Sequence, residues 1–88
     1  MSTYAVNKVC HLVERDSAFR ERMRRDVDAA LAGFKLEAEE LQALKAGDVV
    51  TLFRRGAHPF LLQNLGRYRL VGLDRESYRQ RITSLADD

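Results

Sequence analysis

Apolar residues recur along this chain at intervals of three and four, the spacing that gathers them on one face of an α-helix. Val6, Val9, Cys10 and Val13 stand at i, i+3, i+4 and i+7, which predicts a helix over Thr3–Arg15 with those four residues turned inward. Phe19, Met23, Val27, Ala30, Leu31 and Phe34 carry a second stripe. Asp16 and Ser17 can cap its start, and Asp26 can restart it as a separate short helix. Gly33 falls near its end, where a flexible C-cap is expected. A third helix spans Leu36 to Ala46, with Leu41 and Leu44 inward. Glu37, Glu39 and Glu40 crowd its first turn, where the helix dipole favours negative charge.

Gly47 closes that helix, and Asp48 caps a short one that points Val49, Leu52 and Phe53 inward and stops at Gly56. Val49 to Phe53 is β-prone in propensity, but the Gly-Asp start and the Arg-Arg-Gly finish favour a helix. Pro59 suits the first position of the next helix, because its missing N–H would be unpaired there anyway. Leu61, Leu65 and Tyr68 share a face of it. Val71-Gly72-Leu73 reads as a loop. Asp74 then caps a last helix on which Tyr78, Ile82 and Leu85 align, before a frayed tail at 86–88. No stretch has a convincing period of two. The expected fold is therefore all-α, one compact domain over residues 1–88 built from five to six short helices.

Size changes this picture. A chain of 88 residues buries only about 60–65% of the surface its unfolded form exposes, so its core is modest and a partner subunit would add burial. The 45% hydrophobic and 32% charged fractions fit a folded, well-solvated domain. The net charge of +2, with acidic residues mixed among basic ones, argues against a nucleic-acid partner. The lone Cys10 excludes an internal disulfide and fits a reducing compartment, the cytoplasm being the default. No apolar run approaches the roughly 18–20 residues of a membrane span.

Candidate chemistry is sparse. His11 and His58 lack the spacing that fixes two metal ligands on one element, so no intrinsic metal site is expected. Cys10 reads as a buried small hydrophobe and His11 as a residue of a polar helix face. No serine lies in a nucleophile elbow, and no glycine set cradles phosphate. Arginines form two clusters: Arg20, Arg22, Arg24 and Arg25, read as a solvated helix surface with a Glu21–Arg25 pair, and Arg54, Arg55, Arg67 and Arg69. The second cluster brackets Gly56-Ala57-His58-Pro59-Phe60, the most distinctive stretch of the chain. That turn is either a plain helix break with Phe60 in the core, or a rim where His58 and Phe60 face a partner or pocket.

Several segments, taken in order, resemble the small (alpha, LigA-like) subunit of the type II extradiol ring-cleavage dioxygenases, the protocatechuate 4,5-dioxygenase group. They are Val6-Asn7-Lys8-Val9-Cys10, Ala18-Phe19-Arg20-Glu21-Arg22, Asp28-Ala29-Ala30-Leu31, Phe34-Lys35-Leu36, Leu44-Lys45-Ala46-Gly47-Asp48 and Gly56-Ala57-His58-Pro59-Phe60-Leu61-Leu62. The resemblance implies a helical, non-catalytic subunit packed against a larger one. That larger subunit would hold Fe(II) with two His and a carboxylate, bind a catechol-type aromatic substrate through both hydroxyls, and cleave the ring beside them with O2. The small subunit would close the pocket, which puts His58, Pro59, Phe60, Leu61, Arg67 and Tyr68 at the substrate pocket or the subunit interface. The segment before the last helix, Arg67 to Leu73, is shorter than in the protocatechuate-type subunit. The competing expectation is a free-standing helical interaction module, or an accessory subunit of an unrelated enzyme. A helix-turn-helix over Leu36 to Arg55 is disfavoured, because its first helix is acidic and its second short.

Overall fold

The computed structural model describes residues 3–84. Seven α-helices and no strand stand among them: α1 (Thr3–Arg15), α2 (Ser17–Arg25), α3 (Val27–Leu31), α4 (Ala38–Ala46), α5 (Val49–Arg54), α6 (Pro59–Arg67) and α7 (Arg75–Thr83). The fold is all-α as the periodicity required, with one helix more than the five to six expected. Asp26 is the reason. Its backbone is extended, its N–H donates to the Arg22 carbonyl to close α2, and its side chain accepts from the Ala29 N–H to open α3.

Four of the seven helix starts are set by aspartates whose carboxylates satisfy the unpaired N–H groups of a helix's first turn. Asp16 accepts from Ala18 and Phe19 at 3.0 and 3.2 Å. Asp48 accepts from the Thr51 N–H at 3.1 Å and its hydroxyl at 2.7 Å. Asp74 accepts from the Ser77 N–H at 2.8 Å, while Ser77 Oγ accepts from the Asp74 N–H at 2.9 Å. That cap holds the Asp74 carboxyl below its ordinary range, through the Ser77 hydrogen bonds first. Gly47 ends α4 in the left-handed conformation, φ 69°, and a Cβ there would lie 2.8 Å from the Val71 carbonyl oxygen.

Three local expectations are corrected. Gly33 is not itself the C-cap: α3 ends at Leu31 and Ala32 caps it in helical geometry, one residue before Gly33, which does not have a positive φ. The third helix begins at Ala38, because Glu37 is its N-cap and Leu36 packs on the core from outside it. Phe53 is 39% exposed rather than inward, since α5 ends one residue later and the chain turns away. Leu85, residues 86–88 and Ser2 lie outside the described residues.

One core joins all of this. Val6, Val9, Cys10 and Val13 of α1 face chiefly α6, which contributes Leu62 and Leu65. Phe19, Met23, Ala30 and Leu31 close one side, with Phe34 set edge-on to Phe19 at 5.8 Å. Leu44, Val49, Leu52, Leu70 and Leu73 close the other. Burying each Val or Leu completely contributes about 1.5–3 kcal/mol, so α1 against α6 is the main structural axis. It fixes the ends of α6, where the candidate site residues lie.

Candidate functional site

The turn before α6 is held rigidly from behind. His58 is the N-cap of α6: its Nδ1 accepts from the Phe60 N–H at 3.1 Å, with Pro59 at the first helical position. The His58 N–H donates to Asn7 Oδ1 of α1 at 2.9 Å. Tyr78 of α7 donates its hydroxyl proton to the Pro59 carbonyl at 2.9 Å, and partial burial raises that hydroxyl's pKa. Ala57 is buried beneath. Phe60 is 64% exposed, its ring edge-on to the His58 imidazole at 6.4 Å. The structure thus selects the rim over the core for Phe60. Tyr4, one helical turn before Asn7, is 74% exposed. Phe53, Tyr4 and Phe60 are the exposed large hydrophobics among the described residues.

The six predicted residues do not form one site. His58, Pro59 and Phe60 are exposed at the start of α6, and Leu61 is half-buried against the core. Arg67 and Tyr68 sit at the far end, about 12 Å along a nine-residue helix. There Tyr68 is half-buried beneath two guanidiniums, Arg20 at 4.3 Å and Arg67 at 5.3 Å from its ring centre.

The arginine clusters also divide. Arg20 donates to the Val13 and Glu14 carbonyls at 2.7 and 3.1 Å, satisfying the end of α1, so it is a structural group rather than part of a solvated face. Arg24 pairs with Glu21 at 2.6 Å, taking the partner expected for Arg25, and donates to the Tyr68 carbonyl at 2.7 Å. Arg55 is drawn back to α4, with Glu37 at 2.6 Å and Glu39 at 2.9 Å. Arg67 and Arg69 instead line a cleft of about 630 Å³ between α6 and α7, with Arg75, Arg79, Asp74 and Glu76.

Over residues 6–81 the chain matches the family described as the LigA subunit of the aromatic-ring-opening dioxygenase LigAB. The chain belongs to this family. Comparisons with curated proteins and with solved structures gave no match. The LigA match runs from the first turn of α1 into the last turn of α7, so it includes both the aromatic turn and the arginine cleft.

For a LigA-family chain the distribution of reactive groups matters. Among the described residues, no group of three or more His, Cys, Asp or Glu could hold a metal ion. His11 and His58 are exposed on separate elements, and the residues present do not fit an iron centre. Cys10 is wholly buried, and burial pushes its thiol up to about 12, which keeps it protonated and unreactive. No described helix is long and apolar enough to cross a membrane.

Sequence reasoning missed the residues that make the turn rigid. Asn7 and Asn64 were not singled out, yet Asn7 anchors His58, and buried Asn64 donates to the Cys10 carbonyl at 3.2 Å and Glu14 Oε2 at 3.3 Å, tying α6 to α1. A signal existed for Asn64: a polar residue among Leu61, Leu62 and Leu65 on an otherwise apolar helix face. Arg75 and Arg79 were missed as well. Their i,i+4 spacing was legible, but their approach to Arg67 depends on how two helices cross.

Proposed function

We propose that this chain is the non-catalytic small subunit of an Fe(II)-dependent extradiol dioxygenase. It covers the active site of a large subunit that cleaves a catechol-type ring with O2. The observation that carries the reading is the family match over residues 6–81. The exposed aromatic turn supports it. In this reading the iron is held by the large subunit and supplies the activation of O2 and of the catechol hydroxyls. This chain's own residues contribute shape and the exclusion of water. Phe60, Tyr4 and Phe53 offer the apolar area that a subunit interface needs, and aromatic residues are its usual anchors. Asn7 and Tyr78 hold the turn in its bound shape beforehand, which lowers the ordering cost of association.

Phe60→Ala tests this directly. It should weaken association with the large subunit by about tenfold or more, the loss typical of a central interface aromatic. The exposed Arg22→Ala, on α2, should leave association unchanged. Equal affinities for the two variants would remove the turn from the interface. Purified alone, the chain should hold no stoichiometric iron. One tightly bound iron per chain would overturn the assignment of the metal to the partner.

A further inference from the structure

The cleft between α6 and α7 gathers positive charge of which the fold uses only part: Arg67 lies over the Tyr68 ring and Arg69 favours the charged Asp74 carboxyl, while Arg75 and Arg79 have no such partner among the described residues. Arg67 and Arg69 approach from the end of α6, Arg75 and Arg79 from α7, and Asp74 and Glu76 are the carboxylates present. Arg67, Arg75 and Arg79 also line an adjoining hollow of about 440 Å³ with Gln63 and Tyr78. Several arginines elsewhere are committed: Arg20 to the end of α1, Arg24 to Glu21, Arg55 to Glu37 and Glu39, Arg81 to the Gly47 carbonyl. None of the four cleft guanidiniums reaches a carboxylate of the described residues within ion-pair distance. Asp74 is occupied with Ser77.

Two features bring these like charges together. Gly66 is the crossing point of the two helices: a Cβ there would stand 2.7 Å from the Asp74 carbonyl oxygen and 2.8 Å from Tyr78 Cβ. Only glycine lets α7 approach so closely. The connecting loop then holds Arg69 and Val71 at φ 56° and 48°, a region that side-chain-bearing residues rarely adopt, a β-branched one least of all. Hydrophobic burial does not call for arginine at any of these four exposed positions. Four guanidiniums held around one cleft repel one another, and an oxyanion between them relieves that repulsion through paired charge-assisted hydrogen bonds.

We propose that the α6–α7 cleft is an oxyanion-binding site, taking a ligand that carries two or more carboxylate or phosphate groups. The proposal is independent of subunit pairing, since the cleft is complete within this chain. Citrate and inorganic pyrophosphate serve as probes, titrated into the full chain at low ionic strength so that screening does not mask the charge. Nitrogen–proton NMR of backbone amides and arginine side chains should show saturable shifts confined to Arg67–Arg79. Arg67→Gln with Arg79→Gln should weaken binding about tenfold or more with unchanged circular dichroism, while Arg22→Gln leaves it intact. Absence of saturation by either probe, or equal binding by the double variant, overturns the proposal. The complex with the large subunit then separates two sources of the anion. Release of the large subunit by citrate assigns the carboxylates to the partner's surface. Citrate binding without release assigns the cleft to a free small molecule. Because the titration uses this chain alone, its failure leaves the subunit reading standing.

Discussion

Glu40 is a charged residue with no exposed surface. Its Oε1 accepts from the Glu37 N–H at 3.0 Å, and Arg55 Nε stands 3.8 Å from its Oε2. A carboxylate so placed links the start of α4 to the end of α5, and Arg55 is drawn to the same acidic turn, where the hydrogen bond to Glu39 raises its pKa. Glu40→Ala should cost about 1–3 kcal/mol in urea unfolding, because the Glu37 N–H loses its acceptor and the Arg55 guanidinium loses a nearby carboxylate. Glu40→Gln should cost less, keeping a carbonyl for the Glu37 N–H. Cys10 makes a different prediction. Its folded pKa lies above the ordinary 9.0, at about 12. The stability linked to it is full below pH 9.0 and is lost as pH rises through about 12. Thiol labelling of the native chain should therefore proceed only at the rate of opening. Fast labelling at neutral pH would contradict the burial.

The helices show what a sequence can and cannot state. Capping is local, so Asp16, Asp26, Asp48 and Asp74 were legible as helix starts from the residues alone. So was the inward face of α1, where the stripe spans several turns. On α6 the expected face of Leu61, Leu65 and Tyr68 is rotated, with Leu62 and Leu65 buried and Leu61 and Tyr68 half-buried. Phe53 and Phe60 were not legible, because a residue at a helix end turns inward or outward according to where the next helix runs. The cleft was illegible for the same reason. Gly66 inside a helical pattern was its one sequence signal, since such a glycine often marks a close backbone approach. Asp26→Ala removes a cap shared by two short helices and should cost about 1 kcal/mol, with the loss of helicity centred on α3. Gly66→Ala should cost more than its helix propensity gains, because its Cβ meets the Asp74 backbone. Asp74, with its lowered pKa, stabilises α7 above its ordinary value near 3.8 and ceases to do so as pH falls through the lower folded value. Asp74→Asn should flatten the acid limb of the stability curve.

At the scale of the molecule, a rigid turn with an outward aromatic and a cleft lined by four exposed arginines occupy different ends of one helix pair. An isolated domain has no use for an exposed Phe60 braced by Asn7 and Tyr78. A subunit does, because the bracing keeps the apolar surface in one shape for a partner. The family match is to the LigA subunit of a two-subunit dioxygenase, and the braced aromatic turn fits the proposed role beside a larger subunit. Ring cleavage by the large subunit, followed as oxygen uptake with a catechol, measures that most directly when this chain is added in increasing amounts. Activity should rise and saturate at a fixed ratio of the two chains, with the two eluting as one complex. A large subunit fully active alone, with this chain eluting apart from it, would overturn the proposed subunit role.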